Sequence, residues 1–115
     1  MKKMFLSLTL LFTMVFSFAS SAFAYSETWP ADYLQGTVYL EGNYTNTGST
    51  TDILYLQLYQ VTPRGDQLVS TNTVTLGAGQ SAVKKVLIGS NLLFGQYRLV
   101  LSGSNFWSVA AGYTY

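Results

Sequence analysis

The sequence predicts an all-β domain, a single antiparallel β-sandwich of about seven strands. Apolar and polar residues alternate along most of the chain after residue 24, which is the pattern of half-buried strands. Clusters rich in Gly, Pro, Asn and Thr separate these runs, as turns separate strands. No helical periodicity interrupts the pattern, and several short strands between turns are typical of an antiparallel sandwich.

The first 24 residues have the features of a secretory signal peptide. The positive pair Lys2-Lys3 precedes an apolar run over residues 4–18, and Ala22-Phe23-Ala24 has the A-x-A form of a cleavage site. Because the run is shorter than the roughly 20 residues that cross a bilayer, cleavage is favoured over a membrane anchor. We expect residues 1–24 to be removed and residues 25–115 to form one secreted domain, free or held at the cell surface by non-covalent contacts.

The charge balance gives no sign of a nucleic-acid partner. Two of the six Lys and Arg residues lie in the leader, so four remain against five Asp and Glu, a net charge of −1. A basic patch is the usual mark of nucleic-acid or anionic-membrane binding. We therefore expect neither partner, and no integral membrane segment after cleavage. With so few charged residues, the surface resists ionic association and tolerates stacking contacts or self-association.

Six alternating segments provide the predicted strands, over residues 37–44, 53–61, 67–76, 81–88, 95–103 and 105–115. The side chains that share an inner face are Val38, Leu40 and Tyr44; Leu54, Leu56 and Leu58; Ala82, Val86 and Ile88; Tyr97, Leu99 and Leu101; and Trp107, Val109, Ala111, Tyr113 and Tyr115. The third segment, residues 67–76, has a weaker alternation and predicts one or two edge strands. Lys84-Lys85 breaks the alternation, which predicts a bulge or an edge kept from foreign pairing by charge.

The order of the turns resembles that of bacterial extracellular immunoglobulin-like modules, the CARDB-type adhesion domains. Asn46-Thr47-Gly48 matches the family's Asn-x-Gly turn, residues 76–80 match its Leu-x-x-Gly-Gln step, and Gly95-Gln96-Tyr97 matches its Gly-x-Tyr strand entry. The resemblance covers about the middle two-thirds of the chain, whereas residues 106–115 are aromatic where the family is acidic and Asn-rich. It implies an immunoglobulin-like sandwich in an extracellular setting, with Tyr97 at the position of a tyrosine corner.

The residue inventory argues against catalysis. The chain has no His and no Cys, so it lacks the usual general base, the usual activated nucleophile and the transition-metal ligands. We expect no enzyme activity and no cofactor. Two alternatives remain open: a pair of the five carboxylates acting as in a glycosidase, and a calcium site formed by Asp52, Asp66 and loop carbonyls.

Two groups of residues are candidate binding sites. If Leu54, Leu56 and Leu58 face the core, Tyr55 and Tyr59 point outward on the same strand, and Tyr39 points outward on the preceding one. Exposed tyrosines on a sheet form a stacking surface for sugar rings or aromatic partners, although Tyr is also an ordinary strand residue. Arg64-Gly65-Asp66 lies at a predicted hairpin tip and resembles the integrin-binding loop of fibronectin type III modules.

These observations predict a secreted, non-catalytic binding or structural module. Its partner is expected to be cell-wall or matrix polysaccharide, a surface protein, or a second copy of the chain, with Tyr39, Tyr55 and Tyr59 in contact. The alternative is a secreted effector: a bacteriocin-like toxin, a protease inhibitor, or an adhesin that uses Arg64 and Asp66. A small hydrolase built on carboxylates is the third hypothesis.

Overall fold

The structure is a computed structural model and describes residues 24–115, so the predicted signal peptide lies outside the described residues except for Ala24. Over this range the chain is all-β, and its secondary structure consists of six strands. They are β1 (Tyr25–Thr28), β2 (Asp32–Asn46), β3 (Asp52–Thr62), β4 (Gly65–Leu76), β5 (Ser81–Gly103) and β6 (Trp107–Thr114). Residues 24–115 contain no helix with the length and hydropathy needed to cross a membrane.

All six strands belong to one antiparallel sheet with the order β4-β3-β5-β2-β6, to which β1 is added by pairing with β5. The long β5 organises this sheet. Its residues 81–97 pair with β2, and its residues 97–103 pair with β3 along the opposite edge. Residues 100–103 also pair with β1, so β1 and β2 follow one another along the same edge of β5.

The prediction of separate strands at 81–88 and 95–103 is wrong, because both belong to the single strand β5. The sheet has six strands, close to the predicted number of about seven. The chain bends here without leaving the sheet. Asn91 has φ 55 and Gly36 has φ 78, and the pairing of β2 with β5 shifts in register between Leu34 and Tyr39. Bulges of this kind bend paired strands and increase their twist.

The bulge alternative for Lys84-Lys85 is also wrong. Lys84 pairs with Gly42 and Lys85 with Glu41, and the register is regular through both pairs. Among the described strands only β2 pairs with this part of β5, so the two lysines do lie on a strand with one open ladder edge. The prediction that residues 67–76 form an edge strand is confirmed, since β4 ends the strand order.

The core contains most of the side chains that the alternation predicts. Those that are fully buried or nearly so are Val38, Leu40, Tyr44, Leu54, Leu56, Leu58, Ile88, Tyr97, Leu99, Leu101 and Trp107. They pack in one cluster with Leu34, Val74, Leu76 and Leu92. Tyr115 is the exception, because it is 70% exposed although the alternation places it with Tyr113.

Strands that are not ladder neighbours also meet, which requires the sheet to curve around the core. The Asn46 amide at the end of β2 donates a 3.0 Å hydrogen bond to the carbonyl oxygen of Leu76 at the end of β4. The Ser70 hydroxyl of β4 donates to the carbonyl oxygen of Ile88 in the first half of β5. Strong bends and bulges are the usual devices by which strands turn such corners.

Candidate binding cleft

The bend shared by β2 and β5 creates a cleft at the surface. Its volume is about 590 Å³, within the range of roughly 300–1,000 Å³ common for small-molecule sites. The residues that line it are Tyr33, Leu34, Gln35, Gly36, Phe94 and Tyr115. Four of them, residues 33–36, are consecutive on β2 and end at Gly36, which has a positive φ. The bulge that curves the sheet therefore also shapes the cleft.

Two aromatic rings form one wall of the cleft. Tyr33 and Phe94 stack with ring centroids 5.4 Å apart and an interplanar angle of 12°. They are 57% and 65% exposed, and Tyr115 is 70% exposed. Leu34, between the two outward side chains Tyr33 and Gln35, points inward and is buried, as strand alternation requires. The rings are therefore held by a strand whose other face is fixed in the core.

The side chains that line the cleft are apolar, aromatic or uncharged polar groups. No charged side chain lies among its lining residues within the described part of the chain. The nearby Asp32 carboxylate accepts a 2.8 Å hydrogen bond from the backbone N–H of Tyr33. The polar groups of the lining are the Gln35 amide, which both donates and accepts, and the phenol hydroxyls. This lining suits an uncharged ligand that carries hydroxyl groups.

A second aromatic contact lies near the end of β6. Trp29 and Tyr113 meet edge to face with ring centroids 5.6 Å apart and an interplanar angle of 69°. Burial, together with the charges of Asp32 and Tyr115, raises the pKa of Tyr113 to about 12. The Tyr113 phenol is therefore neutral at physiological pH. Its hydroxyl and the Trp29 indole N–H are buried and have no protein hydrogen-bond partner among the described residues.

The three tyrosines predicted as a contact row lie on two strands that are not adjacent. Tyr55 and Tyr59 are half-buried on β3, and the Tyr59 hydroxyl lies 3.5 Å from Oε1 of Gln57. Tyr39 is half-buried on β2, with the Lys85 ammonium 4.6 Å from its ring centroid. Because β5 separates β2 from β3, Tyr39 does not continue the row of the other two. A binding role for these tyrosines remains a prediction.

Arg64-Gly65-Asp66 lies at a hairpin tip, as predicted. Thr62 pairs with Gly65 across the turn, and Gly65 has φ 111, a conformation that favours glycine. The Asp66 carboxylate forms an ion pair with Arg98 of β5. The two charges of the tripeptide therefore differ in their surroundings, because Asp66 is held against the sheet while Arg64 is exposed at the tip.

The calcium alternative finds no support in the geometry. Asp52 and Asp66 lie at opposite ends of the β3–β4 hairpin, and residues 24–115 contain no group of three acidic, His or Cys side chains able to hold a metal. The Asp52 carboxylate instead accepts hydrogen bonds of 2.8 Å from the Asn105 backbone N–H and from the Trp107 indole. The carboxylate therefore joins the start of β3 to residues 105–107.

The cleft residues Tyr33, Phe94 and Tyr115 are absent from the binding sites predicted from sequence. Tyr33 precedes the first predicted strand and Phe94 lies in the predicted gap between two strands, so neither had an assigned face. Comparison of the chain with protein-family models, with curated proteins and with solved structures finds no match. The site is therefore interpreted from its own chemistry.

Proposed function

We propose that the chain is a secreted, non-catalytic immunoglobulin-like β-sandwich module that binds a neutral glycan in the cleft between β2 and β5. The observation that carries this proposal is the exposed, stacked pair of Tyr33 and Phe94, which lines the same cleft as the exposed Tyr115. Large exposed aromatic groups in a concave site are typical of binding surfaces.

A sugar ring fits this chemistry for two reasons. One face of a pyranose carries mainly C–H bonds, which pack on the electron-rich face of an aromatic ring. Its rim carries hydroxyl groups, which both donate and accept hydrogen bonds, as the Gln35 amide does. The absence of a charged side chain among the described lining residues favours neutral over anionic sugars.

The sandwich assignment has its own support. One core cluster unites side chains from strands that do not pair with each other, such as Leu56 of β3 and Leu40 of β2. The buried Tyr97 donates a hydrogen bond to the backbone upstream, as the tyrosine corner of immunoglobulin-like domains does. Asp66 of the hairpin tip is already paired with Arg98. For this reason we favour glycan binding over adhesion through the hairpin tip.

The proposal is tested by titrating the purified protein with soluble neutral glucans and mannans, with an anionic polysaccharide for comparison. The double variant Tyr33→Ala, Phe94→Ala removes the stacking surface. Each aromatic contact is worth about 0.5–1.5 kcal/mol, so the double variant should bind roughly tenfold more weakly or worse. Phe106→Ala is the matched control, because Phe106 is 63% exposed but does not line the cleft.

The pair Tyr55→Ala and Tyr59→Ala provides the second arm of the experiment. If this variant loses binding while the cleft variant retains it, the ligand occupies β3 and the cleft assignment is wrong. If the unsubstituted protein binds none of the polysaccharides, glycan binding itself is wrong. Mass spectrometry of protein recovered from the medium tests secretion, with Tyr25 expected as the first residue.

A further inference from the structure

The last strand of the sheet leaves one backbone edge unpaired. β6 pairs with β2 from Trp107 opposite Asn46 to Thr114 opposite Tyr39, without a shift in register. Within residues 24–115, no strand pairs with the other edge of β6. A regular edge of this length presents a row of N–H and C=O groups that a further strand can pair with.

β6 lacks the features that usually protect such an edge. The strand contains no charged residue, no Pro and no bulge, although these are the common means of preventing edge-to-edge association. The side chains on its outer face are small and exposed: Ser108, Ala110 and Gly112. A strand that pairs with this edge therefore meets no bulky or charged side chain of β6 on the outer face of the sheet.

The opposite end of the sheet is different. β4 carries Asp66 at its start, and its pairing with β3 shifts in register between Leu58 and Tyr59. The Ser70 hydroxyl of β4 donates to the carbonyl oxygen of Ile88, so β5 lies against this edge. The contrast identifies β6 as the end of the sheet that is open to pairing.

We propose that β6 pairs with β6 of a second copy of this chain, antiparallel and across a two-fold axis, so that one sheet continues through both molecules. The edge is complementary to itself. In an antiparallel pair, residues directly opposite each other lie on the same face of the sheet. The inner faces of both copies then carry the same apolar set, which includes Trp107, Val109 and Tyr113.

This alternation restricts the register. A residue of the inner face must oppose another inner residue, so the two-fold axis passes through a residue that pairs with its own copy. In the middle of β6 this residue is Ala110 or Ala111. With Ala110 on the axis, Trp107 faces the partner's Tyr113 and Val109 faces the partner's Ala111. Small side chains at the axis allow the backbones to approach.

A second copy is favoured over an oppositely charged partner because β6 offers no charge for such a partner to match. The chain after the leader has a net charge of only −1, from four basic and five acidic residues. Two copies therefore repel each other weakly, and isologous dimers are the most common soluble oligomers. This inference does not depend on glycan binding.

Sedimentation velocity over a series of protein concentrations tests the proposal. The unsubstituted protein should show a monomer–dimer equilibrium. Ala110→Lys and Ala110→Glu each place like charges against each other near the axis, so either variant alone should dimerise at least tenfold more weakly. An equimolar mixture of the two should recover dimerisation, because Lys then faces Glu. Ala78→Lys, on the exposed turn before β5, is the control.

Three results would overturn the proposal. The first is an unsubstituted protein that stays monomeric up to millimolar concentration, which leaves the edge free or reserved for another protein. The second is dimerisation of Ala110→Lys that equals that of the unsubstituted protein. The third is a loss of dimerisation in Ala78→Lys equal to that in Ala110→Lys, which indicates a general effect of charge. Ser108→Lys, on the same exposed face, repeats the test if circular dichroism shows that Ala110→Lys does not fold.

Discussion

The Tyr97 hydroxyl donates a 2.7 Å hydrogen bond to the carbonyl oxygen of Leu93, four residues earlier on the same strand. In a straight strand, residues four apart are separated by roughly 13 Å, which is farther than a tyrosine hydroxyl reaches. The bond therefore requires β5 to bend between the two residues. A second bond of the same type joins the Tyr44 hydroxyl to the carbonyl oxygen of Leu40 on β2.

Replacing Tyr97 by Phe should destabilise the fold by about 1 kcal/mol, because the hydrogen bond from the buried tyrosine to the Leu93 carbonyl oxygen is lost. Urea denaturation followed by circular dichroism measures the change in the free energy of unfolding. Tyr59→Phe is the matched control, since the Tyr59 hydroxyl has only a long 3.5 Å contact and is half-buried. Equal stability of the Tyr97→Phe and Tyr59→Phe variants would show that the bond does not hold the bend.

Asn46 should be among the most sensitive polar positions. Its side chain is fully buried, donates to the carbonyl oxygens of Thr50 at 2.9 Å and Leu76 at 3.0 Å, and accepts a 2.9 Å bond from the Gly48 backbone N–H. Asn46→Ala leaves several of these groups unpaired, at roughly 1–3 kcal/mol for each group that stays buried. We expect a loss of at least about 2 kcal/mol in urea denaturation.

The control for Asn46 lies on the same strand. Asn43 is exposed on the outer face of β2, and substitutions at such positions usually change stability by less than about 0.5 kcal/mol. Asn43→Ala should therefore leave the urea midpoint nearly unchanged. If Asn46→Ala behaved in the same way, the buried amide would not be what joins the ends of β2 and β4.

Asp52 should make the stability of the fold depend on pH. Its burial alone raises the pKa of the carboxyl, but hydrogen bonds from the Asn105 backbone and the Trp107 indole outweigh this effect and hold the pKa below its usual value of 3.8. A group with a lowered pKa stabilises the fold above its unfolded-state pKa. This stabilisation is lost as the pH falls through 3.8 towards the lower folded-state pKa.

Urea midpoints measured between about pH 2 and 7 test this pH dependence. The unsubstituted protein should lose stability as the pH falls below about 4 more steeply than Asp52→Asn, which has no carboxyl at this position. Trp107→Phe keeps the carboxyl but removes one donor, so its slope should lie between the other two. Identical slopes for the unsubstituted protein and Asp52→Asn would show that this carboxyl does not contribute.

Features that depend on local sequence were predicted correctly, whereas features that depend on pairing between distant residues were not. The inward positions of Leu54, Leu56 and Leu58 are confirmed because alternation along one strand is a local property. The break expected before residue 95 was wrong because the continuity of β5 depends on a bulge opposite Gly36, far away in the sequence. Local patterns do not reveal which strand lies opposite.

The cleft was not predicted from the sequence, for the same reason. Tyr33 and Phe94 stack because β2 pairs with β5, which places Tyr33 opposite Gln96, two residues from Phe94. Tyr115 joins them in the cleft from the far end of the chain. Alternation placed Tyr115 with the inner face of its strand, but it lies beyond the end of β6, where the ladder no longer orients it. Aromatic residues next to predicted breaks would have been the useful signal.

The ion pair between Arg98 and Asp66 should contribute little to stability. Both side chains are about one-third exposed, at 33% and 32%, and pairs this accessible to solvent are worth about 0–1 kcal/mol. A double-mutant cycle with Arg98→Gln and Asp66→Asn should therefore give a coupling energy below about 1 kcal/mol, and salt should weaken it further. A coupling well above this value would mean that the pair fixes the β3–β4 hairpin to β5. In that case Asp66→Asn would also loosen the turn at Gly65 and increase amide exchange there.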